Sequence, residues 1–270
     1  MKVVYVGDCG VDDYNGKLYP GGCALNTAYY ANQTGFKIDL VSCVGNDKNS
    51  RIPLNVAKKI KLNINHVHQL EGETPKQKIK VLPSGEKKFV GYYPGVLSAF
   101  NLLKADVDFI KQHEVLITLY YSQISHLFNQ VTKIKFPGLK VVDFMDANDF
   151  NKDINFVKKY ASWWDIGFFG LSGKDSALIQ DLIQLAKNKN KLVVITLGSG
   201  GSLAIWQSKI YKQKLKPIKA VDTTGCGDAY LAGFLTDWLQ HKSIQQAMNF
   251  GSTLAAAVAK HLGAINPKMG

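Results

Sequence analysis

Residues 166–197, IGFFGLSGKDSALIQDLIQLAKNKNKLVVITL, decide the fold. A short apolar run at 166–170 is followed by a helical repeat of apolar residues at 176–189 and by a second apolar run at 192–197. Apolar runs without alternation are typical of strands in a parallel sheet, because helices cover such a sheet on both faces. This stretch therefore predicts a strand–helix–strand unit of an α/β protein.

The same alternation extends over most of the chain. Further strands are predicted at 2–7, 38–44, 115–121 and 139–144, and further helices at 23–34, 52–61, 104–112, 125–135, 155–164, 229–240 and 243–261. Residues 75–93 break the pattern, since two strand-like runs flank the turn sequence PSGE at 83–86 and so predict a hairpin. Residues 202–215 are a second hairpin candidate. We predict a single domain over 1–270 with a small β-lid, formed mainly by 71–94 and with 13–20 as a further candidate.

The composition excludes several classes of protein. The chain has 270 residues, 46% of them hydrophobic, which is enough for a sizeable core. Its net charge of +12 invites a nucleic-acid interpretation. However, all 33 basic residues except Arg51 are lysines, and they are dispersed. Readers of bases and phosphates depend on the planar guanidinium group, so we expect a lysine-rich solvated surface and no nucleic-acid partner.

The cellular setting is predicted from what the sequence does not contain. No apolar stretch approaches the length of a membrane span, and the apolar run at the start is too short for a signal peptide. The four cysteines show no CxxC spacing, which favours reduced thiols. We therefore expect a cytoplasmic protein with no membrane partner.

The strongest chemical signal is the run DTTGCGD at 222–228, directly before the apolar sequence AYLAGFL. Its two glycines allow the backbone to present N–H groups at the start of a helix, where the helix dipole also favours an anion. Asp228 would lie at the same terminus, within reach of the anion and of a substrate hydroxyl. An isolated aspartate there would more simply cap the helix. The two glycines, Asp222 and two threonines in seven residues favour catalysis instead.

Two more glycine clusters follow strands or precede helices. The sequence TLGSGG at 196–201 leaves a predicted strand, where α/β sheets bind nucleotides, and GGCALN at 21–26 enters a helix. Each could be a simple turn. Upstream, Asp8 and Asp12 leave the first strand and are suited to bind sugar hydroxyls. Neither a Walker P-loop nor a GxGxxG fingerprint occurs, which argues against P-loop ATPases and NAD enzymes.

These motifs together resemble the ribokinase-like (PfkB) carbohydrate kinases over essentially the whole chain. Within that family the likeness is greatest to the bacterial fructoselysine 6-kinases, through GDCGVDDY at 7–14, NHVH at 65–68 and FVGYYPGV at 89–96. The resemblance implies a three-layer α/β fold with a central, mostly parallel sheet flanked by helices, plus a small β-lid. It also implies ATP as phosphate donor, Mg²⁺ on the ATP phosphates and a small-molecule acceptor.

The resemblance further implies roles for individual residues. Asp228 matches the catalytic base, and the anion hole for the transferring phosphoryl group matches Gly225, Cys226 and Gly227. The sugar contacts match Asp12, Gly22 and Asn26, with Asp8 a further candidate. The nucleotide contacts match Thr196, Gly198, Gly201 and Ser252. A monovalent-cation site, for K⁺, matches Asp222 and Thr224.

Some positions depart from the family or are open to other interpretations. Cys226 replaces the usual alanine, and the Asn-x-x-Glu motif associated with Mg²⁺ is absent at 170–173. Tyr92 and Tyr93 could cover the amino-acid part of the substrate. His66 and His68 would point the same way from a strand, but with no third ligand in view we interpret them as surface or packing residues. A homodimer through the lid is a further expectation of the resemblance.

The predicted function is phosphorylation of the 6-hydroxyl of fructoselysine or a related fructosamine. The sequence leaves open a free ketohexose, ribose or a nucleoside as acceptor, because Asp12 and Asn26 would serve any polyol. A hydrolase with an aspartate base and a non-catalytic kinase-fold regulator are the remaining alternatives.

Overall fold

The computed structural model describes residues 1–81, 87–215 and 217–265. In chain order its strands are β1 (Val3–Val6), β2 (Gly10–Tyr14), β3 (Lys17–Gly21), β4 (Ile38–Gly45), β5 (His66–Leu70), β6 (Lys76–Val81), β7 (Lys87–Tyr93), β8 (Val115–Leu119), β9 (Leu139–Asp146), β10 (Ile166–Gly170), β11 (Leu192–Thr196), β12 (Ser202–Trp206) and β13 (Lys209–Gln213). Its helices are α1 (Cys23–Gln33), α2 (Arg51–Lys59), α3 (Lys104–Ile110), α4 (Ser125–Val131), α5 (Ile154–Lys159), α6 (Ser176–Lys189), α7 (Cys226–His241) and α8 (Ile244–Val258).

The larger sheet has nine strands in the order β13-β12-β11-β10-β9-β8-β1-β4-β5. The seven strands from β11 to β5 pair in parallel, whereas β12 and β13 pair antiparallel at one edge. The carboxyl ends of the parallel strands meet along one side of the sheet, which is where α/β folds bind ligands. No helix among the described residues is long and apolar enough to cross a membrane.

The sheet is buried on both faces, which explains its continuous apolar strands. Within β10, Phe168 meets Phe234 of α7 on one face, and Phe169 stacks on Phe144 of β9 on the other. The first face belongs to a core that also contains residues of α1 and α8, and the second to a core that contains residues of α4, α5 and α6. The predicted three-layer α/β architecture is confirmed.

The smaller sheet has four strands in the order β3-β2-β6-β7. β6 and β7 form the antiparallel pair predicted for 75–93, and the predicted turn at 83–86 lies outside the described residues. β2 runs parallel to β6 and antiparallel to β3, so the sheet is mixed. We call these four strands the lid sheet. The outer strand β7 exposes Phe89, Val90 and Tyr93, and pairing of two copies through this strand stays a prediction.

The predicted elements differ from the observed ones in two informative places, and a third prediction is confirmed. α7 begins at Cys226, three residues before the predicted start, and this moves Asp228 into the first helical turn. Residues 10–14 form a strand of the lid sheet, although the sequence indicated a loop there. The second hairpin candidate, 202–215, forms β12 and β13.

Candidate active site

The start of α7 is shaped by Gly225. This residue is the N-cap of the helix and adopts a φ of 79°, in the left-handed region that favours glycine. A Cβ atom added to it would lie 2.7 Å from the Cβ of Ala264, so the loop also needs glycine for space. A Cβ atom at Gly227 would meet nothing within 4 Å, because this residue borders open space.

Asp228 lies in the first turn of this helix and does not cap it. Its carboxylate accepts a hydrogen bond from Asn26 Nδ2 at 2.8 Å, and its residue is 6% exposed. Burial raises the pKa of the Asp228 carboxyl to about 7; the Asn26 hydrogen bond opposes this rise, and the charges of Asp143 and Asp8 add to it. A buried carboxylate with a pKa near neutrality is suited to accept a proton from a hydroxyl.

The backbone N–H groups of the predicted anion hole differ in their hydrogen-bond partners, and their contact with a phosphoryl group stays a prediction. The N–H of Cys226 donates to the carbonyl of Thr223 at 3.1 Å. The N–H groups of Gly225 and Gly227 have no acceptor within the part of the chain that the structure describes. The donors available to an anion are therefore the two glycines, and the Cys226 thiol instead donates to the carbonyl of Ala255.

Asp222 and Thr224 are joined by hydrogen bonds that hold this loop in place. One carboxylate oxygen of Asp222 accepts from the N–H and hydroxyl of Thr224, and the other accepts from Tyr14 Oη at 2.7 Å and from the N–H of Gly263. Burial would raise the pKa of Asp222, but these hydrogen bonds hold it below its usual value. Because protein donors already occupy both oxygens, no unpartnered oxygen marks a cation, and the monovalent-cation site stays a prediction.

The predicted sugar contacts converge on the same place. Gly22 has a φ of 99° and lies against the backbone of Asp8, whose carboxylate accepts from the N–H of Cys23 at 2.8 Å. Asp12 and Asn26 are each 3% exposed, and each retains a buried oxygen without a hydrogen-bond partner. Buried oxygens of this kind are costly unless a ligand satisfies them, so both atoms are suited to accept from substrate hydroxyls.

A single cavity of about 490 Å³ joins these groups. Nine of the predicted residues line it: Asp8, Asp12, Gly22, Asn26, Tyr92, Thr224, Gly225, Gly227 and Asp228. Tyr92 stacks on Tyr121 at 5.1 Å between ring centroids and forms part of the wall. Tyr93 does not line the cavity and is 48% exposed, which does not support its predicted role as a substrate cover.

The predicted nucleotide residues lie outside this cavity. Thr196 ends β11, and the following loop closes on itself through a hydrogen bond from the N–H of Leu197 to the carbonyl of Gly201 at 2.9 Å. Gly198 begins the short turn inside that loop. Ser252 on α8 donates to the side chain of Gln213, the last residue of β13. Their contact with a nucleotide stays a prediction.

The position of the missing Mg²⁺ motif offers no substitute acid. Asp175, the nearest carboxylate after β10, forms an ion pair with Lys152 at 2.7 Å and accepts from the N–H and hydroxyl of Ser172. These contacts hold the pKa of Asp175 well below its usual value. A carboxylate committed in this way does not replace the absent glutamate.

Three further carboxylates at the end of β9 were missed by the sequence analysis. Asp146 and Asp149 line the cavity, and Asp143 is buried and near enough for its charge to act on Asp228. Burial raises the pKa of Asp143 to about 7, with contributions from Asp149 and Asp8. The available signal was the run DFMDAND at 143–149, because acids that follow a parallel strand lie at the ligand-binding side of the sheet.

The histidines of β5 have a partner that the sequence analysis also missed. His66 Nδ1 and His68 Nε2 lie 2.7 and 2.9 Å from the same oxygen of Asp106, whose side chain is fully buried at the start of α3. The second Asp106 oxygen accepts from the N–H of Leu103. Asp106 is therefore a third potential ligand beside the two histidines, and the prediction of isolated surface or packing histidines is wrong. The cluster joins the edge strand to α3, and none of its members lines the cavity.

Known proteins similar to this chain share its whole length. A fructosamine kinase, FrlD, of Bacillus subtilis is 30% identical, with 98% of this chain and 93% of that protein aligned. A fructoselysine 6-kinase of Escherichia coli is 26% identical, with 96% of this chain and 97% of that protein aligned. 

Solved structures show the same fold. A nucleoside kinase of Methanocaldococcus jannaschii superposes with a TM-score of 0.80 at 21% identity, over 98% of this chain and 93% of the other. A ribokinase of Thermotoga maritima gives a TM-score of 0.76 at 20% identity, over 98% and 94%. The pfkB family carbohydrate kinase model matches residues 7–134 and 168–269, which include both glycine-rich loops and Asp228. With the buried aspartate at a glycine-rich helix start and these matches, the chain belongs to the pfkB family of carbohydrate kinases, which are ATP-dependent.

Proposed function

We propose that this kinase transfers the γ-phosphate of ATP to the 6-hydroxyl of a fructosamine such as fructoselysine. The observation that carries the proposal is the buried Asp228 carboxylate, held by Asn26 in the first turn of α7 and facing a cavity with unpartnered polar oxygens. The relatives named as fructosamine and fructoselysine kinases support this acceptor.

The residues at the start of α7 have different roles in the proposed reaction. Asp228 accepts the proton of the acceptor hydroxyl. As it does so, the hydroxyl oxygen forms a bond to the γ-phosphorus, and the bond from that phosphorus to the oxygen bridging to the β-phosphate breaks. The N–H groups of Gly225 and Gly227, which have no acceptor among the described residues, would donate to the transferring phosphoryl group and stabilise its developing charge. Mg²⁺, when bound to the ATP phosphates, would neutralise part of that charge.

The sugar side orients the acceptor. Asp12 and Asn26 retain buried oxygens that can accept hydroxyl protons, and Asn26 at the same time donates to Asp228. Asn26 therefore couples the position of the sugar to the position of the base. The Asp222 network holds the loop that carries the two donor glycines, and K⁺ at Asp222 and Thr224 stays a prediction that omission of K⁺ from the assay tests.

The test is ADP release by the purified protein with Mg·ATP, over a panel of fructoselysine, other fructose-amino acids, fructose, ribose and adenosine. We expect turnover with fructosamines and its loss, by about 10³-fold or more, in Asp228→Asn with ATP binding retained. Turnover confined to a free sugar or a nucleoside would replace the acceptor. Absence of turnover with ATP still bound would favour a regulator.

A further inference from the structure

The cavity is strongly acidic in a strongly basic protein. Five carboxylates line it, those of Asp8, Asp12, Asp146, Asp149 and Asp228, whereas no lysine or arginine of the described residues does so. The chain as a whole carries a net charge of +12. None of the five carboxylates takes part in an ion pair within the described ranges. A neutral sugar does not need so much uncompensated negative charge.

The wall formed by 146–149 is held in place by its own backbone. The carboxylate of Asp149 accepts from the N–H of Asp146 at 3.2 Å, and the carboxylate of Asp146 accepts from the N–H and side-chain amide of Asn148. Burial and the adjacent Asp146 raise the pKa of Asp149 to about 6. Two fixed carboxylates of like charge at one wall favour a ligand that brings positive charge.

The remainder of the cavity points to the same kind of ligand. Tyr92, Tyr121, Phe89 and Met145 line it, and such side chains are suited to contact an alkyl chain that carries an ammonium group. A separate observation is that Asp12 is only 3% exposed and that its Oδ2 atom has no hydrogen-bond partner. This atom favours a ligand that is rich in hydrogen-bond donors.

We propose that Asp146 and Asp149 form an ammonium subsite that selects a cationic acceptor over a neutral sugar. The proposal rests on the proposed function and deepens it, because a fructosamine differs from fructose by an amine that is protonated at neutral pH. The sugar would lie against Asp12 and Asn26, its reacting hydroxyl would face Asp228, and the amine would extend toward the end of β9.

The test compares KM and kcat for fructoselysine and fructose in Asp146→Asn, Asp149→Asn and the double variant. We expect the double variant to raise the KM for fructoselysine by about tenfold or more, with kcat within about threefold and the KM values for fructose and Mg·ATP unchanged. Asp153→Asn is the matched control, because this exposed aspartate caps α5 on the same connection but does not line the cavity.

Two outcomes overturn the subsite. A rise in KM for Mg·ATP with unchanged acceptor KM would assign these carboxylates to the metal–nucleotide complex. Equal losses with fructose and fructoselysine would assign them a structural role.

Calorimetric binding of fructoselysine to Asp228→Asn separates the subsite from the proposed function. In one outcome, the wild type fails to turn fructosamines over while fructoselysine still binds, with an affinity that weakens when Asp146 and Asp149 are also changed. That pair of results would overturn only the proposed function. Turnover of fructosamines that is indifferent to both substitutions would overturn only the subsite.

Discussion

At the residue scale, the proposed chemistry depends on the carboxylate of Asp228, whose ionisation is made unfavourable by burial. Burial is the largest cause of the raised pKa of Asp228, and the nearby Asp143 and Asp8 increase it further. Because these carboxylates interact, the observed titration belongs to the group and not to Asp228 alone. As the proposed base, Asp228 would act only when it is ionised, so kcat/KM is expected to fall as the pH drops below about 7.

The neighbour Asp143 offers a way to shift that profile. Asp143→Asn removes a negative charge that raises the pKa of Asp228, so the acid limb of kcat/KM should move to lower pH. The amide oxygen of asparagine can still accept from the N–H of Met145, as Asp143 Oδ1 does. The measurement is the pH dependence of kcat/KM, with the exposed Asp181→Asn as control. An acid limb unchanged from wild type would show that Asp143 does not influence the base.

The site residues that the sequence did not reveal were hidden for one physical reason, which is that their roles depend on tertiary packing. In the sequence alone, Asp146 and Asp149 look like ordinary capping residues, and in the structure they do form a capping box at 146–149. Their second role depends on the sheet, which brings the end of β9 beside the start of α7. His66 and Asp106 are separated by 40 positions, and only the packing of α3 on the edge strand joins them.

At the element scale, the hydrophobic pattern predicted the parallel sheet, whereas the first lid strands, β2 and β3, were covered only in part by the lid candidate 13–20. The strands of the large sheet are apolar because helices cover both faces, and that pattern survives in the sequence. β2 reads GVDDY, and its Asp12 is buried because it faces the cavity. A buried carboxylate at an inward position removes the alternation of apolar and polar residues by which a strand is recognised.

Tyr14 links the lid sheet to the loop before α7. Its hydroxyl donates to Asp222 at 2.7 Å and lies 2.9 Å from Thr224 Oγ1, so a strand of the lid is joined to the loop that carries Gly225 and Gly227. Tyr14→Phe should therefore lower kcat by about tenfold, the cost of one hydrogen bond to a charged group, with a smaller change in the acceptor KM.

Steady-state kinetics test this link, with Tyr19→Phe as the matched control. The ring of Tyr19 meets that of Tyr14 edge-on at 5.2 Å, so this variant removes a neighbouring hydroxyl and keeps the aromatic packing. A Tyr14→Phe enzyme with the kcat of wild type would show that the lid strand does not position the loop.

At the scale of the whole molecule, the acidic cavity opposes the stability of the fold. In the folded protein the pKa is raised to about 6 for Asp8 and Asp149, and to about 7 for Asp143 and Asp228, from an ordinary value of 3.8. Groups whose pKa is raised by folding contribute stability below the ordinary value, and they lose it as the pH rises through the folded value. These four carboxyls therefore destabilise the ligand-free protein progressively between about pH 4 and pH 7.

Carboxyls with lowered pKa values act in the opposite direction but at lower pH. Asp47, Asp106 and Asp222 stabilise the fold once they are ionised, and that gain is nearly complete at pH 5.5. The melting temperature of the ligand-free protein should thus fall from pH 5.5 to pH 8. The melting temperature of the double variant Asp143→Asn/Asp149→Asn should fall less than that of wild type over this interval, because two of the four destabilising carboxyls no longer titrate.

Scanning calorimetry at the two pH values measures the difference between the two proteins. For a domain of this size one kcal/mol corresponds to about 2–4 °C, so a smaller loss in the variant is resolvable. Asp153→Asn/Asp181→Asn is the control for removing two charges, since both residues are exposed. Equal losses in wild type and in the cavity variant would show that the acidic cavity does not limit stability. A smaller loss in the cavity variant alone would show that ionisation of Asp143 and Asp149 destabilises the ligand-free fold at neutral pH.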